Sequence, residues 1–215
     1  MLFMSGKTAR KTEARSQNPD NAKANILAAA SDIFLEGGIQ SLSVRAIAAR
    51  AGTSTIGIYS HFQGKQGILD ALYIEGFKMV IESMTVADAD LSARDTIMRA
   101  SRQYLDMAEG HAAHYRLIFG ERDAEFVPSH DAELVGAKAF NTMLRHVAKL
   151  LPDTATHKEK QDAAVQTWAL LHGYVSLRQH EVSGLVDMSD WKTRALTTLG
   201  LLVDAMELRT AVADQ

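Results

Sequence analysis

Thr53, Ser54 and Thr55 set three hydroxyl groups in a row, and Tyr59, Ser60, His61 and Lys65 follow within three helical turns. Hydroxyls, imidazole N–H groups and an ammonium are donors of the kind that hold phosphate oxygens, and hydroxyls also reach base edges. Nothing in the chain is arranged for covalent catalysis: there is no cysteine, and no nucleophile–base–orienter set has motif spacing. Eight histidines raise the question of a metal. His111 and His114 are spaced i, i+3, and His172 and His180 i, i+8. With no thiolate, no H-E-x-x-H and no clustered carboxylates, neither a metal site nor a cofactor is expected. His172 with Glu181 or Asp106 is the nearest approach to an acid–base pair. It carries the alternative reading, an all-α enzyme or small-molecule-binding protein built on the C-terminal part.

The elements that must position these residues are helices. Ile26, Leu27, Ala30, Ile33 and Phe34 follow the i, i+1, i+4, i+7, i+8 pattern of one helix face over 21–36, which Gly37-Gly38 ends. Ser43 is a candidate N-cap for a short helix at 44–51 with Ile47 and Ala48 inward. Gly52 breaks that helix, and the three hydroxyl residues cap another at 55–61. Gly64-Lys65 then opens a long helix through Leu69, Leu72, Tyr73, Phe77, Val80 and Met84. Further helices are predicted at 92–108, 111–119, 131–150, 156–181 and 189–212. Breaks are expected at Glu109-Gly110, 120–129 with Pro128, Pro152, and Ser183-Gly184. No segment alternates with period 2, so no sheet is expected. The fold class is all-α with about nine helices, divided into a basic arm (1–18), a head (19–66) and a body (67–215).

Composition suits a globular protein: 47% hydrophobic and 23% charged residues over 215 positions. No apolar run approaches the ~20 residues that span a bilayer, and 1–17 lacks the apolar core of a secretory signal. Without cysteine nothing requires an oxidising compartment, so a cytoplasmic setting and no membrane partner are expected. The net charge of −3 hides an asymmetry. Up to Lys65 there are 8 Lys/Arg against 4 Asp/Glu, and beyond it 15 against 22. A basic head on an acidic body suggests two jobs in one chain. The arm, with Lys7, Arg10, Lys11 and Arg15, is either part of the basic reader or a plain solvated tail.

Two short helices about a glycine turn have the dimensions of a helix-turn-helix, although spacing alone also allows an ordinary helical hairpin. The residue pattern over 26–69 goes further. Phe34-x-x-x-Gly38, Leu42-Ser43-Val44-Arg45-x-Ile47-Ala48 and Ile58-Tyr59-Ser60-His61-Phe62-x-x-Lys65 closely resemble the DNA-binding head of TetR-family transcriptional regulators. The resemblance implies a DNA-binding set of Ser43, Arg45, Thr53, Ser54, Thr55, Gly57, Tyr59, Ser60, His61 and Lys65. Tyr59 and His61 resemble the family's phosphate-contacting pair, or they cover the head's core. Lys65 would add its charge to a helix N-terminus. Arg45 stands where some members reach a guanine, or is a solvated surface arginine. Gly57 would leave room for approach to the groove. Two positions depart from the family pattern. Gly67 replaces a better helix former at a cost of up to ~1 kcal/mol, and Ser60 replaces a bulkier or basic residue.

In the body, Trp168-Ala169-Leu170-Leu171-His172-Gly173 resembles the W-x-x-x-H-G signature of one group of TetR-type C-terminal domains. Val165, Trp168, Leu171 and Val175 are expected as a buried stripe, with Gly173 permitting close helix contact. Leu196, Leu199, Leu202, Val203 and Met206 form a face on the last helix that is either the family's dimer seam or intrachain core. An apolar pocket for an unknown small-molecule effector is expected among Tyr104, Met107, Tyr115, Phe119, Met143, Trp168 and His172, although most aromatic and Met residues in such a body fill core, and His172 is equally a satisfied core histidine. The expected function is a ligand-responsive repressor that binds a palindromic operator in double-stranded DNA as a homodimer joined through its last two helices.

Overall fold

Apolar spacing of about 3.6 residues produces nine α-helices and no strand among the described residues of this computed structural model, which are 19–87, 90–120, 123, 125–179 and 186–213. They are α1 (Pro19–Gly37), α2 (Val44–Arg50), α3 (Thr55–Phe62), α4 (Lys65–Met84), α5 (Ala93–Gly110), α6 (Ala112–Phe119), α7 (His130–Ala148), α8 (His157–Gln179) and α9 (Trp191–Ala213). A 3-10 turn, Ile39–Ser41, joins α1 to α2. The arm at 1–18, His180, Glu181 and the break at Ser183-Gly184 lie outside the described residues.

Four helices start on a serine whose hydroxyl oxygen accepts the N–H three residues on. These are Ser43 from Ala46 at 3.2 Å, Ser54 from Gly57 at 3.0 Å, Ser92 from Asp95 at 3.0 Å and Ser129 from Ala132 at 3.2 Å. Each such cap is worth about 1 kcal/mol. The turns use positive φ where expected, at Gly38 (69°) and Gly52 (64°).

Two helix ends differ from expectation. α5 runs through Glu109-Gly110 and breaks only at His111, whose N–H still bonds to Met107 O at 2.9 Å. A helix end tolerates glycine, and one residue suffices to redirect the chain into α6. α7 stops at Ala148, because the N–H groups of Lys149, Leu150 and Leu151 turn to carbonyls three residues back. Pro152 follows and disfavours helix at the residue before it.

Two apolar clusters form. Ile26, Ala30, Ile33 and Phe34 of α1, Ile47 and Ala48 of α2 and Ile58 of α3 pack with Ile68, Leu69 and Leu72 of α4 and with Ala113 and Leu117 of α6. The second cluster takes Tyr73, Phe77, Val80 and Met84 of the same α4 and joins them to α5–α9. α4 and α6 approach closely at Gly76, where a Cβ would stand 3.0 Å from Ile118 Cγ2.

On α8, Leu171 and Val175 are buried and Trp168 is half-buried, but Val165 is 48% exposed, contrary to the expected stripe. The buried Thr167 accounts for this, because its hydroxyl donates to Ala163 O at 2.9 Å and so satisfies itself inside the core. The inward face therefore runs Ala163, Ala164, Thr167, Leu171, Val175 and turns Val165 outward. Gly173 touches nothing within 4 Å of where a Cβ would be, so it mediates no close contact inside the chain. On α9, Leu196, Leu199, Val203 and Met206 are intrachain core with Leu202 half-buried, while Leu201 (66%) and Leu208 (67%) point out.

Candidate nucleic-acid interface

The turn between α2 and α3 is closed by Thr53 N–H donating to Ala48 O at 3.0 Å, with Gly52 reversing the chain. Ser43 and Ser54 are committed to capping through their oxygens, which leaves each O–H free to donate outward. Gly57 has a use within the chain itself. A Cβ there would lie 2.6 Å from Thr53 Oγ1, so its open side admits the Thr53 hydroxyl onto the first turn of α3.

Ile58 is fully buried and Phe62 half-buried, which fixes the rotation of α3 on the head. The opposite face exposes Thr55, Tyr59 and Ser60, with His61 half-exposed beside them. Arg45 is exposed on the neighbouring α2. A bend through Gln63 (φ 59°) and Gly64 (φ 112°) joins α3 to α4, and the Tyr59 ring lies over it: a Cβ on Gly64 would be 3.1 Å from Tyr59 Cε1. The bend is so tight that a Cβ on Gly67 would sit 1.7 Å from Phe62 O. The glycine that departs from the family pattern is what this approach requires.

Two residues were not anticipated. Ile56, on the same face as Tyr59 and Ser60, is 80% exposed; its i, i+3, i+4 relation to them was the available signal. Asp123, between α6 and α7, pairs with Lys65 at 2.5 Å. The ion pair and an N–H bond from Glu125 hold the Asp123 carboxyl below its usual range. Gln66 donates to Glu125 O at 3.2 Å, and Asp70 accepts both the N–H and the hydroxyl of Ser129 at 2.7 Å. Lys65 is thus a clamped cation. Arg50, also on α2, forms a bidentate pair with Glu36 at 2.9 and 2.7 Å.

In the body, a cavity of about 130 Å³ lies between α4, α5, α6, α7 and α8. Of the residues expected to line a pocket, Tyr104, Phe119, Met143 and Trp168 do so, together with Phe77, Val80, Met84, Gly136, Ala139 and Phe140. Met107 does not line it; it is buried in the body core on α5. Tyr115 and His172 stand behind the wall: Phe119 contacts both rings, and Tyr115 stacks on His172. The Tyr104 and Tyr115 hydroxyls are 2.9 Å apart, and Tyr115 Oη is 2.8 Å from His172 Nδ1. Burial pushes both phenols well above their ordinary range and the His172 imidazole below its own. Tyr104, Tyr115 and a neutral His172 are thus joined in one hydrogen-bonded chain, whose direction is set by which ring nitrogen of His172 carries the proton. Asp106 is not a partner of His172; it pairs with Lys192 at 2.6 Å.

The sign of the pH dependence follows. A histidine whose folded pKa is depressed binds fewer protons folded than unfolded, so its contribution is present above about pH 6.5. It is lost as pH falls through the lower folded value. Thermal melts of the wild type should lose more stability between pH 7 and pH 5.5 than those of His172→Gln; equal losses would refute the assignment. Among the described residues no group of three His, Cys, Asp or Glu side chains is placed to hold a metal, and no helix is long and apolar enough to cross a membrane.

The profile of the bacterial regulatory proteins of the tetR family matches residues 26–72, and that of the tetracyclin repressor-like C-terminal domain matches residues 97–204, half of the chain. The chain belongs to the TetR family. It is accordingly a DNA-binding transcriptional regulator, and α2–α3 is the family's helix-turn-helix. Members of the TetR family are regulators and not enzymes. The uncharacterized HTH-type transcriptional regulator Rv0681 of Mycobacterium tuberculosis is 25% identical over 177 residues, covering 80% of this chain and 76% of that protein. A bacterial regulatory protein of the tetR family from Rhodococcus RHA1 superposes with a TM-score of 0.67 at 23% identity, over 85% of this chain and 95% of that one. A TetR variant from Acinetobacter baumannii AYE, in complex with minocycline, superposes with a TM-score of 0.61 at 20% identity, over 87% and 97%.

Proposed function

We propose that this TetR-family regulator is a repressor that binds a palindromic operator as a homodimer and is released by a small molecule. Residues 19–66 would read DNA, and the body from 67 would pair and sense. The observation that carries the reading is the outward face of α3, where hydroxyl and imidazole donors stand exposed on a helix whose other side is locked into the core. Tyr59 and His61 would hold phosphates, with Ser43, Arg45, Thr53, Ser54, Thr55 and Ser60 arranged about them. Lys65 joins them as the Asp123 carboxylate yields to a phosphate. One head reads too few base pairs alone, so two related by a two-fold axis, about 34 Å apart, are needed. The face left exposed by Val165 and Leu177 on α8 and Leu201 and Leu208 on α9 supports pairing through the last two helices.

The cavity supports sensing. Its lining is apolar and holds no charged side chain, so the effector would be uncharged. At about 130 Å³ it takes a group near the size of a benzene ring without rearrangement. A cytoplasmic setting, beside the chromosome, goes with this function.

Fluorescence anisotropy with the DNA upstream of the coding sequence tests the reading. Tight, saturable binding is expected, and Tyr59→Ala and His61→Ala should each weaken it roughly tenfold or more, the worth of a hydrogen bond to a charged group. Failure to bind any duplex tightly, with no effect of either substitution, would overturn it.

A further inference from the structure

We infer that Ile56 reads the 5-methyl group of a thymine in each half of the operator. The inference rests on the DNA-binding reading above and adds a residue that sets sequence preference. Ile56 is 80% exposed, whereas Ile58, two residues on, is fully buried. The two stand on opposite faces of α3, so the rotation that buries Ile58 commits Ile56 to the outside. It occupies the first turn of α3, which begins at Thr55, and this is the part of a recognition helix that meets base edges. Its branched β-carbon restricts χ1, so the side chain projects as a stiff probe.

The chemistry of the contact follows from the side chain. An isoleucine neither donates nor accepts, and the major groove offers one apolar group among its base edges, the thymine methyl. The residues around Ile56 are polar: Thr55, Tyr59 and Ser60 are exposed on either side. An apolar spot one residue wide within a ring of donors is far too small for a stable protein interface, which needs about 800 Å² on each partner. It does match one methyl group set among phosphates and base edges.

The test uses a duplex selected by the full-length wild-type protein from a random-sequence library, in which uracil then replaces thymine one position at a time. Uracil removes the methyl and preserves the pairing. One thymine per half-site is expected to matter to the wild type, about three- to fivefold, the worth of one buried methyl. Ile56→Ala should bind the thymine and uracil duplexes equally, and Ile56→Val should keep most of the discrimination. The inference is overturned if no uracil substitution weakens the wild type, or if Ile56→Ala loses as much as the wild type at the same position. Enrichment of no sequence at all would overturn the DNA-binding reading together with it, which separates the two failures.

Discussion

Gly67→Ala is expected to destabilise the protein by about 3 kcal/mol and to abolish tight operator binding. A Cβ at this position would stand 1.7 Å from the carbonyl oxygen of Phe62, roughly half of a van der Waals contact. The obstacle is backbone, so no side chain can swing aside. Relief requires the start of α4 to move away from the end of α3, which opens the bend at Gln63-Gly64 and unseats Tyr59 from it. Helix propensity alone predicts the opposite sign, since alanine is favoured over glycine in a helix by up to ~1 kcal/mol. Gly110→Ala is the control: it lies in the last turn of α5 with open space around it. Urea unfolding of both variants should show a loss for Gly67→Ala and no loss for Gly110→Ala. Equal stabilities would show that the bend does not need its glycine.

The second large effect concerns assembly. Leu201→Glu combined with Leu208→Glu should convert the proposed dimer into monomers and raise its dissociation constant by roughly a thousandfold or more, because two carboxylates per protomer would be desolvated in the interface. Operator affinity should fall with it, as two heads no longer arrive at a fixed spacing. Sedimentation velocity reads the assembly and anisotropy reads the DNA. Leu199→Ala provides the contrast. Leu199 is fully buried within its own chain, so its truncation should cost about 2–5 kcal/mol of stability while the folded protein still pairs. If the glutamate variant remains a dimer, pairing does not use this face of α9.

Much of this architecture was legible in the residues. Serine caps at Ser43 and Ser54, glycine turns at Gly38 and Gly52, and 3.6-residue spacing are local signals, and each produced the element it announces. The α3 pattern was legible because Ile58 must be buried where Tyr59 is exposed. What was not legible depends on distant partners. No spacing rule links Lys65 to Asp123, although the pair decides whether the lysine is a free cation. The outward side of α9 was hidden for another reason. Leu196, Leu199, Leu202, Val203 and Met206 make one apolar face, and periodicity cannot say whether such a face meets the chain's own core or a second copy. Gly67 was misjudged because helix propensity ignores the carbonyl of a different helix.

α4 gives its first turns to one apolar cluster and its remaining turns to the other, and α6 lends Ala113 and Leu117 to the first. The reading unit is therefore not a detachable module. Cutting the chain after residue 66 would strip Ile68, Leu69 and Leu72, all essentially inaccessible to solvent, from the cluster that holds α1, α2 and α3. Any chimera grafting this reader onto another sensor has to cross over within α4 beyond Leu72 and must rebuild the α6 contact. One rigid rod shared by two cores also makes melting cooperative: neither can dissolve without exposing apolar side chains of the other's helix.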